Sequence, residues 1–311
     1  MLLRRLVSPV VVLLALAGCA QTGRPGQSTD DKITVVAAFY PLAEAAQRIG
    51  GGAVEVHNLT PPGTEPHDLE LTTDQLDRVI DADVVLYFGR GFQPAMEEAV
   101  DRAEGEVLDV LDGEELAEGE ADEHGEEDGE HAEDEATLDP HIWLDPQRWA
   151  KVMNRIGDAL AEADSDRADE FATGTRTYAG EIEDLDGEFE EGLGDCDRDL
   201  IVTSHAAFAY LAERYGLEQE SISGVSPEAE PDPEHLAELA DTVDEHGVTT
   251  IFTETLVSPD VAETLARETG VEVATLNPIE GLTSEEIEND EDYASVMSDN
   301  LGVLREGLGC S

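Results

Sequence analysis

ITVVAAFYPLAEAAQRIGGGAVEVHNL, residues 33–59, is the stretch that decides the fold. ITVVAAFY is an apolar, β-branched run of the kind that fills a buried strand. PLAEAAQRIGG reads as a helix opened by Pro41 and stopped at Gly51 and Gly52, because proline suits the first helical turn and glycine the exit. VEVHNL is a second strand, ending at the turn PPGTEP. The grammar continues with TTDQLDRVIDA as an amphipathic helix, DVVLYFG as a buried strand, QPAMEEAVDRA as a helix and VLDVL as a strand. Such β/α alternation predicts a parallel sheet covered by helices.

The same pattern restarts at Asp199. DLIVTSH reads as a strand, AAFAYLAERYG as a helix, QESIS as a strand and DPEHLAELADTVDEHG as a helix. VTTIFTE, PDVAETLARETG, VEVATLNP and a closing helix through YASVMSDNLGVLREGL follow. Between the two halves lie helical stretches at 146–163 and 166–193. In the second, Phe171, Tyr178, Ile182, Leu185, Phe189 and Leu193 recur every three or four residues, as on one helical face. One helix over 166–193 would be about 42 Å long and could form a spine behind both halves. Two shorter helices broken near Gly174 and Gly180 are the alternative. The expected fold class is α/β, with two parallel-sheet lobes joined by a long backbone helix. The first lobe takes residues 32–145, the linking helices 146–194 and the second lobe 195–311.

Four segments each hold one good metal ligand: GTEPHD with His67, DPHIWLDP with His141, VTSHAAFAYL with His205 and LNPIEGLT with Glu280. They are 74, 64 and 75 residues apart, which no short zinc-finger spacing matches. Each lies where a strand gives way to a loop, and α/β folds bind ligands at the carboxyl ends of strands. Three imidazoles and a carboxylate form a borderline-soft tetrahedral set that favours Zn²⁺ over Mg²⁺ or Ca²⁺. For the fourth place Glu65, Asp68, Asp145 and Glu254 are alternatives to Glu280. Asp68 and Asp145 could instead orient the rings, and Asp145 could cap the helix starting at Pro146. Neutral imidazole is the ligating form, so affinity is expected to fall as pH drops through about 6.

The chain opens MLLRRLVSPVVVLLALAGC. Arg4 and Arg5 precede an apolar run of about 12 residues, too short for the roughly 20 that cross a bilayer, so residues 1–18 read as an export signal. Leu16-Ala17-Gly18-Cys19 resembles a bacterial lipobox, with Cys19 the lipidated residue, and the polar stretch 19–31 reads as a tether. In an exported protein Cys196 and Cys310 favour a disulfide.

The chain has 74 acidic and 17 basic residues, with Lys32 and Lys151 the only lysines. Loss of the signal removes Arg4 and Arg5, leaving 15 basic residues against 74 acidic and a charge of −59. Such a surface repels nucleic acid. Residues 112–135 hold 14 acidic residues and no Lys or Arg, yet the rest of the chain still carries −43. The acidity is global and reads as adaptation to high salt, where screening relieves self-repulsion. The tract 112–137 has no Leu, Ile, Val or Phe beyond Leu116 and is expected to be a disordered loop. His124 and His131 within it either capture metal loosely or are incidental to a solvated charge run.

With these motifs in place, the chain resembles the metal-binding lipoproteins of zinc and manganese ABC importers, specifically the zinc-type solute-binding components. The resemblance covers essentially the whole mature chain. It rests on GTEPHDLELTTDQ, LDPHIWLDP, IVTSHAAFAYLAERYG and TLNPIEGLT, together with an acidic, His-containing insertion before the second ligand. It implies a rigid backbone helix, one metal ion in the interlobe cleft and delivery of that ion to an ABC permease. The expected protein is a monomer, lipid-anchored on the extracytoplasmic face of the cell membrane. Manganese and iron members typically carry a carboxylate at the third ligand, where this chain has His205, which points to zinc. Only two histidines occupy the insertion, fewer than in many zinc relatives. A manganese or iron importer component is the nearest alternative. A secreted zinc hydrolase using Glu280 as general base is more distant, because neither HExxH nor GxSxG occurs. An adhesin that merely keeps the fold is a third.

Overall fold

A computed structural model describes residues 32–119, 138–229 and 231–311. The export segment, the tether with Cys19, and His124 and His131 lie outside these residues. Strands β1 (Ile33–Ala37), β2 (Val54–Asn58), β3 (Val84–Tyr87) and β4 (Glu106–Asp109) form one parallel sheet in the order β2-β1-β3-β4. Helices α1 (Tyr40–Gly50), α2 (Thr73–Asp81) and α3 (Pro94–Val100) connect them. The second sheet repeats the order as β6-β5-β7-β8, from β5 (Leu200–Thr203), β6 (Glu218–Ser221), β7 (Thr250–Thr253) and β8 (Glu272–Thr275). Its connecting helices are α6 (Ala209–Tyr215), α7 (Pro233–His246) and α8 (Asp260–Thr269).

Local chemistry explains the ends of these elements. The α1 helix carries Pro41 in its first turn and stops at Gly51, whose φ of 53° is readily reached only without a Cβ. The α2 helix opens on a capping box between Thr72 and Gln75. The α6 helix is shorter than the stretch AAFAYLAERYG suggests. Ala206 donates its N–H to Gly224 O and Ala207 to His205 O, so the helix starts only at Ala209.

Two helices link the lobes, α4 (Pro146–Ala163) and α5 (Ala168–Leu193). The α5 helix is continuous for 26 residues, about 39 Å, and is preceded by a 3₁₀ turn over Ser165–Arg167. Its buried face is the stripe Phe171, Tyr178, Ile182, Leu185, Phe189 and Leu193. Gly174 does not break it; a Cβ there would meet Ile49 O at 2.1 Å, so the glycine lets α1 pack closely. Asp186 accepts from Arg214 Nε (2.9 Å) and Nη2 (2.6 Å) and from Tyr215 O–H (2.9 Å), tying α5 to α6. The chain closes with α9 (Ser284–Glu288) and α10 (Tyr293–Leu308), and α10 packs on α5. One apolar cluster runs from β1 through α4 and α5 to Leu301 and Leu304 of α10, while a smaller one lies within the second lobe around Leu239, Val243 and Ile251.

Cys196 and Cys310 form a disulfide that ties the end of α10 to the start of the second lobe. The acidic tract is a partial correction. Residues 112–119 are ordered against the protein: Glu118 bridges Leu138, and Ala117 N–H donates to Tyr210 Oη at 2.9 Å. Backbone pairing, which composition does not reveal, holds this end of the tract. Among the described residues no helix is long and apolar enough to cross a membrane.

Candidate metal centre

The loop after β2 carries His67. Thr60 Oγ1 donates to Ala38 O (2.8 Å) and buried Gln93 Nε2 donates to Pro66 O (3.0 Å), holding the loop over the sheet. The backbone N–H of His67 is shared by both carboxylate oxygens of Glu65 at 3.0 Å. Phe92 packs edge-on against the ring at 4.6 Å between centroids.

His141 and His205 are clamped more fully. Asp139 Oδ1 accepts both the backbone N–H (2.9 Å) and Nδ1–H (2.7 Å) of His141. Glu254, just past β7, accepts His205 N–H on one oxygen (2.9 Å) and Nδ1–H on the other (2.6 Å). Each carboxylate sets the tautomer, leaving Nε2 free as a donor of its lone pair.

Glu280 sits on the loop after β8. Asn277 and Asn300, both buried, exchange two hydrogen bonds, Asn277 N–H to Asn300 Oδ1 (2.8 Å) and Asn300 Nδ2 to Asn277 O (2.7 Å). Asn277 Oδ1 then accepts from Ile279 N–H (2.8 Å), and Trp143 Nε1 donates to Pro278 O (2.7 Å). Ile279 has φ 57°, a left-handed conformation costly for a β-branched residue by about 1–3 kcal/mol. Those hydrogen bonds hold the strained turn that presents Glu280.

The result is a convergence of lone pairs. Glu280 Oε1 lies 3.1 Å from His67 Nε2, 3.2 Å from His141 Nε2 and 3.3 Å from His205 Nε2, and the last two nitrogens are 3.3 Å apart. All four donor atoms lie within 4.8 Å of one another. Zinc bonds of 2.0–2.2 Å give a tetrahedron with edges of about 3.3–3.5 Å. The four distances, 3.1–3.3 Å, lie at or just below the short end of such edges. With both Nδ1 positions occupied, His141 and His205 can face each other comfortably only across a proton or a cation.

Electrostatics agrees. Burial lowers the His205 pKa, but Glu254 and Glu280 outweigh it and hold the imidazolium well above the ordinary histidine value. Burial likewise opposes the charged form of His141, and Asp139 with Glu280 produces a net rise. His67 goes the other way, lowered by burial. Burial raises Glu280, yet His205 and the hydrogen bonds from the three imidazoles bring it well below the usual carboxylate range. Burial and then Glu280 push the Glu65 carboxyl up to about 8.

The structure thus brings His67, His141, His205 and Glu280 together. It does not put Asp68 or Asp145 on a ring: Asp68 is exposed, and Asp145 caps α4 by accepting from Gln147 and Arg148 N–H. Glu254 orients His205 and is not among the four converging donors. Asp139 is the orienting residue that sequence reading missed, although a signal exists. EPH (65–67) and DPH (139–141) share an acidic residue two places before the histidine with proline between, and both carboxylates accept that histidine's N–H. Trp143, Asn277 and Asn300 carry no such local mark.

Residues 35–307 match the family described as "ZnuA: Zinc-uptake complex component A periplasmic". The zinc-binding lipoprotein AdcA of Streptococcus pneumoniae is 37% identical over 283 residues, covering 90% of this chain but 56% of AdcA. The chain therefore spans about half the length of that relative. The high-affinity zinc uptake system protein ZnuA of Bacillus subtilis is 33% identical over 305 residues, covering 97% of this chain and 96% of that one. The crystal structure of the Zn(II)-bound ZnuA-like domain of S. pneumoniae AdcA superposes with a TM-score of 0.75 at 32% identity, covering 89% of this chain and 99% of that domain. By sequence and by fold, this chain belongs to the ZnuA family of zinc-uptake solute-binding components.

Proposed function

We propose that this protein captures Zn²⁺ outside the cytoplasmic membrane and delivers it to the permease of an ABC importer. His67, His141, His205 and Glu280 are the ligands. The observation that carries the reading is the meeting of three Nε2 atoms on one Glu280 oxygen at 3.1–3.3 Å, with two of the rings locked by carboxylates. Zinc suits this donor set better than manganese, whose sites are richer in carboxylate and carbonyl oxygen. The names of the relatives above point the same way. Four converging protein donors leave no open position of the kind a hydrolytic zinc keeps for water, so binding and release, not hydrolysis, are the task. Lipidation at Cys19 and anchorage on the extracytoplasmic face complete the proposal and rest on the LAGC motif and on the zinc-binding lipoprotein among the relatives; a monomeric state is proposed with them.

Elemental analysis after exhaustive dialysis tests it. The expected result is one zinc per chain, lost in His205→Ala. Retention of manganese or iron, or of no metal, would contradict the zinc reading. Unchanged zinc in His205→Ala would contradict the ligand assignment.

A further inference from the structure

The candidate ligands are almost sealed. The side chains of His141 and His205 are 0% exposed and that of Glu280 1%, and Asp139 and Glu254 behind them are 2% exposed. His67 and Glu65 differ, at 11% and 10%. Among the described residues, solvent therefore meets the site along the edge formed by these two. Phe92 closes one side of His67 with an apolar ring that offers a hydrated ion no donor. Across the lobes, the edge is joined to the Glu280 loop by Gly63 N–H donating to Leu282 O at 2.9 Å.

Glu65 and Asp139 are related by sequence but not by aim. Both stand two residues before a histidine and accept its backbone N–H. Asp139 goes on to grip the far ring nitrogen, Nδ1, at 2.7 Å. Glu65, one methylene longer, instead lies 3.8 Å from His67 Nε2, the nitrogen that faces Glu280. A carboxylate thus stands at the solvent edge on the ion's side of the ring, just beyond bonding range of the four-donor set.

We propose that zinc enters and leaves across this edge and that Glu65 is its transit ligand, binding the ion during exchange without belonging to the resting coordination set. This rests on the zinc reading above. Zn²⁺ must shed its water to enter a closed site, and a carboxylate at the entrance replaces part of that shell before His67 engages. A group that holds the ion only in transit lowers one barrier seen from both sides. It speeds capture and release equally and leaves the dissociation constant unchanged.

Stopped-flow measurements with Zn²⁺ alone, following uptake and then release to a chromogenic chelator, test this in Glu65→Gln. The amide keeps an oxygen for His67 N–H and removes the charge. Asp68→Asn, at an exposed carboxylate one residue past His67, controls for general attraction. The account predicts that both rate constants fall at least about tenfold in Glu65→Gln while Kd stays within about threefold, with Asp68→Asn unaffected. Weaker binding through faster release would make Glu65 a resting ligand or a loop anchor and overturn the proposal. So would unchanged rates, or equal slowing in Asp68→Asn. Should the zinc-free melting temperature show that Glu65→Gln is unfolded, Glu65→Asp withdraws the carboxylate while keeping its charge, and the same slowing is expected. A wild-type protein that takes up no zinc would overturn instead the reading beneath.

Discussion

His205 shows what the metal must displace. In the zinc-free protein its imidazolium is held well above the ordinary histidine pKa by Glu254 and Glu280, against the opposing effect of burial. The raised pKa means that protonated His205 favours the zinc-free fold fully below about pH 6.5, the unfolded value, and that this contribution fades as pH rises through the higher folded value. Zinc competes with that same proton, so its affinity should already be falling above pH 6.5 on the way down. The expected onset near pH 6, drawn from free imidazole, moves upward. Competition with a chromogenic chelator should show log Kd already rising as the pH falls toward about 6.5 from above, because the His205 imidazolium is held above the ordinary histidine value; a flat response there would contradict the account. The orienting carboxylates are a separate test. Glu254→Gln removes the anion that fixes the His205 tautomer and should weaken zinc binding about 10–100-fold, read by calorimetry, with the four donors intact. Affinity equal to wild type would show that Glu254 contributes nothing to the site.

Among the elements, those with strong periodic signals were readable from the sequence. The apolar runs at 33–37 and 200–203 became the first strand of each sheet, and the stripe from Phe171 to Leu193 became one helix. The His67, His141, His205 and Glu280 segments were readable because each breaks a strand-to-helix pattern with one ligand. Two kinds of feature stayed hidden. Asn277 and Asn300 meet across 23 residues through the packing of α10, and Glu254 meets His205 across 49, so neither pair has a local pattern. Glycine was ambiguous for a related reason: Gly174 looked like a helix breaker, but its meaning lies in the carbonyl of Ile49 packed against it. The disulfide is an element-scale restraint, closing a separation of 114 residues between the start of the second lobe and the end of α10. Cys196→Ser with Cys310→Ser should cost about 2–5 kcal/mol of stability, measured by denaturant unfolding. A loss below about 0.5 kcal/mol would mean that α10 is held entirely by its packing on α5.

For the whole molecule, charge and core pull in opposite directions. A formal net charge of −57 repels itself across the entire surface, and only 17 basic residues are present to offset it. The core answers with a cluster that runs unbroken from the first sheet through α5 to α10. Wide separation of the lobes would expose that apolar cluster at a cost of about 25 cal/mol per Å². Zinc exchange is therefore better served by the loop edge at Glu65 and His67 than by a hinge. Screening should matter more here than in an ordinary protein, because the Debye length falls from about 10 Å at 0.1 M salt to about 3 Å at 1 M. The melting temperature of the zinc-free protein is expected to rise steadily over that range, and a constant value would remove the high-salt interpretation. The central claim is a single four-donor zinc site between the lobes. Anomalous diffraction at the zinc edge, from crystals grown with one equivalent of Zn²⁺, tests it most directly. The account predicts one peak, about 2.0–2.2 Å from Nε2 of His67, His141 and His205 and from an oxygen of Glu280. A peak coordinated by another set, such as the acidic tract or Glu254, would contradict it.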